Sequence, residues 1–215
     1  MKNILNFLLD IGRLKGKERR GWLLHEIKKS ESTAEHMFRT ALLAWILGKE
    51  KGGLNWERLL KMALIHDICE VYAFDATPYD PLLPKSLKKR KKIREILKKW
   101  PKFSLFQKQK RELAKYKDEL KGLEKLISHL PSGLKTEIKG LWLDYENGLT
   151  KEGRFVKQVD KVENYLQGIE YWKKQGKIQY KLWKRWSREI IDDPILLKFI
   201  KTIDQKFFAN ISSKK

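Results

Sequence analysis

Apolar residues recur along this chain at the spacing of helical turns and hardly anywhere at the alternation of a strand. From Glu152 to about Lys174, Phe155, Val159, Val162, Leu166 and Ile169 step by four and three residues, which lays them in one core-facing stripe. Ile4, Leu5, Leu8, Leu9 and Ile11 follow the same spacing near the start. Ser32-Thr33-Ala34-Glu35 has the form of a capping box and predicts a helix to about Leu47, ended by Gly48, Gly52 and Gly53. Asn55 is placed to cap a second helix from Trp56 to about Val71. A loop punctuated by Pro78, Pro81 and Pro84 follows. Further helices are predicted over 85–130 (broken at Pro101 and closed by Pro131), over Leu134–Tyr145, around Trp183 and Trp186, and over Pro194–Phe208. No repeat and no strand pattern competes, so the expectation is an all-α bundle of roughly seven to nine helices in a single domain.

Composition narrows the function. Eight Trp, nine Phe and seven Tyr in 215 residues exclude wholesale disorder, and one cysteine, Cys69, excludes a disulfide framework or a Cys-based zinc site. Met1 to Leu14 makes a poor signal peptide, and no window approaches the ~20 apolar residues that cross a bilayer; the expectation is a soluble, cytoplasmic protein without a membrane partner. Lysine plus arginine is 48 against 27 acids, a formal charge of +21. Such a surplus is either a polyanion-binding surface or a lysine-rich solvated one. No RNP-type or zinc-finger pattern accompanies the lysines, so nucleic acid is the less favoured partner.

Four histidines are present, and two stand in apolar company. His66, Asp67 and Glu70 interrupt the run Ala63-Leu64-Ile65 … Ile68 … Val71, and on a helix their spacing lets them converge. Burying carboxylates beside an imidazole costs several kcal/mol unless something compensates, and a divalent cation would. His36 precedes the apolar run Ala41 to Leu47, and Asp160 lies between Val159 and Val162. Taken singly, each reads first as something plainer: His36 as a satisfied core histidine, His66-Asp67 as a local hydrogen-bonded pair ending a helix, Asp160 as a solvated boundary carboxylate. Together they form a set of imidazoles and carboxylates that suits zinc, manganese, iron, cobalt or nickel.

The order His36…His66-Asp67…Asp160 resembles the HD-domain metal-dependent phosphohydrolases. Five blocks extend the match: Arg19-Arg20-Gly21-Trp22, Glu31 to His36, Ala63 to Glu70, Asp75-Ala76-Thr77-Pro78 and Phe155 to Lys161. They are similar to the 5′-deoxynucleotidase branch, the HD domain-containing protein 2 group. The resemblance covers about residues 5–84 and 134–210; between them lies a basic helical insertion of about 85–130, centred on Lys88-Lys89-Arg90-Lys91-Lys92. It implies an HD-fold domain over residues 1–215, a cation on His36, His66, Asp67 and Asp160, and Glu70 as catalytic carboxylate. It also implies Asp75 as an acidic loop residue near the substrate, which in some members helps hold a second cation, and Arg19 as a phosphate-binding arginine. Relatives are commonly dimers.

The implied reaction removes the 5′-phosphate of (deoxy)nucleoside monophosphates by attack of a water activated on the cation. Glu70 would serve as general acid/base and an aromatic such as Trp22 as a stacking surface for the base. Two alternatives stay open: an HD-family phosphohydrolase or phosphodiesterase acting on another nucleotide, and a non-catalytic helical protein that binds nucleic acid. The basic insertion is expected to be an appended element that steers or screens and supplies no ligand.

Overall fold

The structure is a computed structural model that describes residues 1–209. Among these it is all-α: ten α-helices, three short 3-10 turns and one isolated bridge between Glu18 and Ser32. No described helix is long and apolar enough to cross a membrane. The chain forms two compact units, one of Met1–Glu35 with His66–Gly140 and one of His36–Ile65 with the chain from Leu141 onward.

The second unit is organised by α8 (Lys151–Gln175), against which α4 (Trp56–Ile65), α9 (Tyr180–Ile190) and α10 (Pro194–Phe208) pack. The expected stripe is its core face: Phe155, Val159, Val162 and Ile169 are fully buried, with Val156 and Tyr165 beside them. Each such side chain contributes about 1.5–3 kcal/mol. Thr150 caps α8 by accepting from the Gly153 amide, and Gly176 ends the helix in the left-handed conformation, φ +68°. Gly153 is required by crowding, since a Cβ there would stand 2.7 Å from the Asp144 carbonyl oxygen. Asp144 binds the Thr150 amide at 2.8 Å and the Arg58 Nε at 2.9 Å, tying α7 (Ser132–Asn147) to the start of α8 and to α4.

α3 spans Thr33–Lys51 and passes through Gly48, where the sequence suggested a stop. The absence of a side chain there serves packing, because a Cβ would lie 3.2 Å from the Trp56 ring; Gly52 and Gly53, at φ +72° and +68°, make the turn.

The first unit begins with α1 (Lys2–Gly12), which has the expected helical period but no buried residue; Leu5, Leu8 and Leu9 are exposed. α2 (Arg20–Leu24) is a single short turn. The basic segment forms α5 (Arg90–Leu97) and α6 (Leu105–Ile127), separated at Pro101 as expected, with Ser104 and Gln107 making a capping box. Ile93 and Leu97 dock α5 in a small core with Leu24 and Tyr79, while Lys88 to Lys92 face solvent.

The second half of the basic segment is docked on the rest of the first unit. The C-terminal turns of α6 bury Glu119, Gly122, Leu123, Leu126 and Ile127 and pack on the 3-10 turn Ile68–Val71. A Cβ on Gly122 would come 2.8 Å from the Cys69 carbonyl oxygen and 3.1 Å from the Ala73 amide. The lysine-rich composition masked this, because one buried stripe on a long helix supports any number of charges on its other faces. Gly122→Val should therefore destabilise the protein by about 1–3 kcal/mol, the usual cost of overpacking, read as a lowered midpoint in urea denaturation.

Candidate metal and phosphate site

In the first unit, α4 gives way at His66-Asp67. Asp67 has φ −111°, ψ 12°, outside the α-helical region, and Ile68–Val71 continues as a 3-10 turn. The predicted helix to Val71 is thus interrupted at His66 and Asp67. Convergence is achieved by another route. Arg19 Nη1 donates to Asp67 Oδ2 at 2.6 Å and lies 3.5 Å from Glu70 Oε1, so one guanidinium gathers both carboxylates. His66 is buried, its Nε2 3.4 Å from Asp67 Oδ2.

Glu70 is buried and held from several sides. Thr33 Oγ1 donates to its Oε2 at 3.0 Å, and Lys17 Nζ donates to its carbonyl oxygen and, at 2.8 Å, to that of Ala73. Burial, and next the Asp67 charge, push the Glu70 carboxyl up to about 8, against the pull of Arg19 and Lys17. Lys17 and Thr33 went unnoticed in the sequence, though a signal existed. Lys17 and Arg19 are two apart on an extended stretch, so they project the same way. That stretch is pinned to the strand-like passage before α3 by Arg19 N to Glu31 O at 3.1 Å and Thr33 N to Lys17 O at 2.8 Å.

Asp75 accepts from the Arg20 backbone amide at 2.8 Å, which fastens the loop to the start of α2, the residue after Arg19. Its charge is also felt at Glu70. Arg20 itself is committed to Asp80, 2.9 Å from its Nε. Trp22 cannot serve as a stacking surface: it is 2% exposed and donates through Nε1 to Glu31 Oε1 at 2.8 Å. A tryptophan indole buried with a partner for its N–H is a core residue.

In the second unit, His36 and Asp160 meet. His36, on the first turns of α3, is fully buried, and its Nε2 lies 3.2 Å from Asp160 Oδ1. The other oxygen of Asp160 accepts from Tyr145 Oη at 2.9 Å and Lys161 Nζ at 2.7 Å; Asn164 Nδ2 donates to Oδ1 at 2.8 Å. A further acid went unnoticed: Glu163, wholly buried, lies 2.5 Å from His36 Nδ1. Arg39 donates to it from Nε at 2.8 Å. Burial alone would raise the Glu163 carboxyl, but His36 and Arg39 outweigh it and hold it below the usual range. Its signal was a second acid one helical turn after Asp160 on an otherwise apolar face.

A hydrogen on Nδ1 given to Glu163 leaves the Nε2 lone pair facing a carboxylate oxygen inside the protein. Imidazole plus carboxylate is a donor set that takes a transition-type cation, and a hydrogen on both ring nitrogens would satisfy the same pair without one.

Residues 11–193 match the HD domain family, most of the chain. The chain belongs to that family. It is 32% identical over 181 residues to the 5′-deoxynucleotidase HDDC2 of Xenopus laevis, covering 83% of this chain and 75% of that one. It is 29% identical over 220 residues to the 5′-deoxynucleotidase hdd1 of Schizosaccharomyces pombe, covering 99% and 96%. Among solved structures, a conserved hypothetical protein from Pyrococcus furiosus superposes with TM-score 0.64 at 23% identity, covering 94% of this chain and 99% of that one. A protein described as a predicted metal-dependent phosphohydrolase from Magnetospirillum magnetotacticum gives 0.61 at 21%, covering 97% and 92%. These two structures share the all-α HD fold.

Proposed function

We propose that this HD-domain protein is a divalent-metal-dependent phosphohydrolase that removes the 5′-phosphate of (deoxy)nucleoside monophosphates, with residues 1–215 acting as a single domain. The observation that carries the reading is the buried His36–Asp160 pair, an imidazole and a carboxylate whose donor chemistry suits a cation, in a chain whose relatives are named 5′-deoxynucleotidases. The ligands in this reading are His36, His66, Asp67 and Asp160, the set that the sequence resemblance implies, with one cation per chain of the manganese, cobalt, zinc, iron or nickel class. When bound, such an ion supplies Lewis acidity toward a phosphoryl oxygen and lowers the pKa of water.

The chain's own groups do the rest. Arg19, oriented by its bond to Asp67, offers a planar fork that matches two phosphoryl oxygens, as a lysine ammonium cannot. Glu70, fixed by Thr33, carries the proton to the leaving 5′-oxygen. Asp75 keeps the Arg19–Arg20 corner in place through the Arg20 amide. A second cation near Glu70 and Asp75 would share Asp75 with that amide, and metal counting distinguishes one ion per chain from two. In this reading the protein works in the cytoplasm.

A panel of nucleoside monophosphates scored for phosphate release with added divalent cations tests the activity. His66→Ala should abolish metal retention and lower the melting temperature, since a cation that binds only the folded state stabilises it. Glu70→Gln should keep its metal and lose about 10²–10⁴ in turnover. Metal content unchanged in His66→Ala, or lost in Glu70→Gln, would overturn these assignments.

The basic segment belongs to the same unit as Arg19 and Glu70, and we read its exposed lysines as steering a dianionic nucleotide. Replacing residues 88–92 with Ser should leave turnover at saturation intact, raise KM at low ionic strength and flatten its salt dependence. The assembly is a homodimer in this reading: Phe38, Trp45 and Ile46 are 64%, 49% and 58% exposed on one face of α3. Sedimentation should show a dimer, and Trp45→Glu a monomer.

A further inference from the structure

One buried carboxylate near the ligands has no part in the reading above. Glu163 follows Asp160 by one helical turn, has no exposed surface and is 2.5 Å from His36 Nδ1 through Oε2. Its second oxygen is taken by Arg39, at 2.8 Å from Nε and 2.7 Å from Nη2. Arg39 is itself held: Nη1 donates to Glu170 at 2.7 Å and Nη2 to Gln167 at 2.5 Å. Both carboxylate oxygens of Glu163 are thus spent on groups of this chain, which leaves it poorly placed to be a fifth ligand.

An imidazole that gives one nitrogen to a cation must carry its hydrogen on the other and find an acceptor for it. We propose that Glu163 is the positioning residue of the His36 arm: by accepting the Nδ1 hydrogen it fixes the tautomer and the ring plane, so that the Nε2 lone pair is presented beside Asp160 Oδ1. Arg39 completes the device. With its guanidinium braced by Glu170 and Gln167, it keeps Glu163 from rotating toward the cation and competing with His36. The positioning role is carried by where Glu163 sits: on Nδ1, the ring nitrogen opposite the one that faces Asp160.

The inference rests on His36 being a ligand, so the experiment separates the two claims. Wild-type protein and Glu163→Gln are stripped with a chelator, checked for folding by circular dichroism, and titrated with Co²⁺ or Zn²⁺ against a competing chelator. Glu163→Gln should bind the same number of ions about 10–100-fold more weakly, and Arg39→Met should fall between it and wild type. In the zinc-loaded wild type, ¹⁵N spectra of the histidine rings should show His36 protonated at Nδ1 and metal-bound at Nε2. An affinity in Glu163→Gln within twofold of wild type, or zinc on Nδ1, would overturn the positioning role while leaving the cation site standing. A wild-type protein that binds neither ion would instead refute the site itself. Should Glu163→Gln fail to fold, the wild-type spectrum decides alone.

Discussion

Two carboxylates set in the apolar middle of α8 are the constraint around which the second unit is built. Taking one such ion out of water costs several kcal/mol even after relaxation, and Asp160 and Glu163 are both buried. The chain answers with groups from three helices: Tyr145 from α7, His36 and Arg39 from α3, and Lys161 and Asn164 from α8 itself. Removing any one of these leaves a buried charge short of a partner, so the helices that supply them are constrained in rotation as well as in position.

The first unit meets a similar demand with different means. Its carboxylates, Asp67 and Glu70, sit on a broken helix end, and the compensating groups come from an extended stretch, Lys17 and Arg19, and from Thr33 at the start of α3. Interrupting α4 after Ile65 frees His66 and Asp67 from helical register. The 3-10 turn that follows keeps Glu70 close to Asp67, its amide bonded to the Asp67 carbonyl at 3.0 Å. Behind that turn, α6 closes in so tightly that only glycine fits at position 122. The basic helix therefore has two roles, with lysines outward on α5 and the first turns of α6 and a packing surface at the C-terminal end of α6.

Much of this was legible in the residues. Helical period, capping boxes and prolines predicted the all-α class and most helices, because these are local rules that act within a few residues. His36, His66, Asp67 and Asp160 were legible as polar interruptions of apolar runs, and the structure buries His36, His66 and Asp160. Only the tertiary structure decided the rest. That Gly48 lies inside a helix and Gly122 under a neighbouring backbone depends on what packs against them. That Trp22 is spent on Glu31, and that Lys17, Thr33, Arg39 and Glu163 hold the site residues, depends on contacts between residues 9 to 127 positions apart. Local sequence carries propensity and pattern; partner choice for a buried charge is settled by which distant groups the packing brings within hydrogen-bond reach.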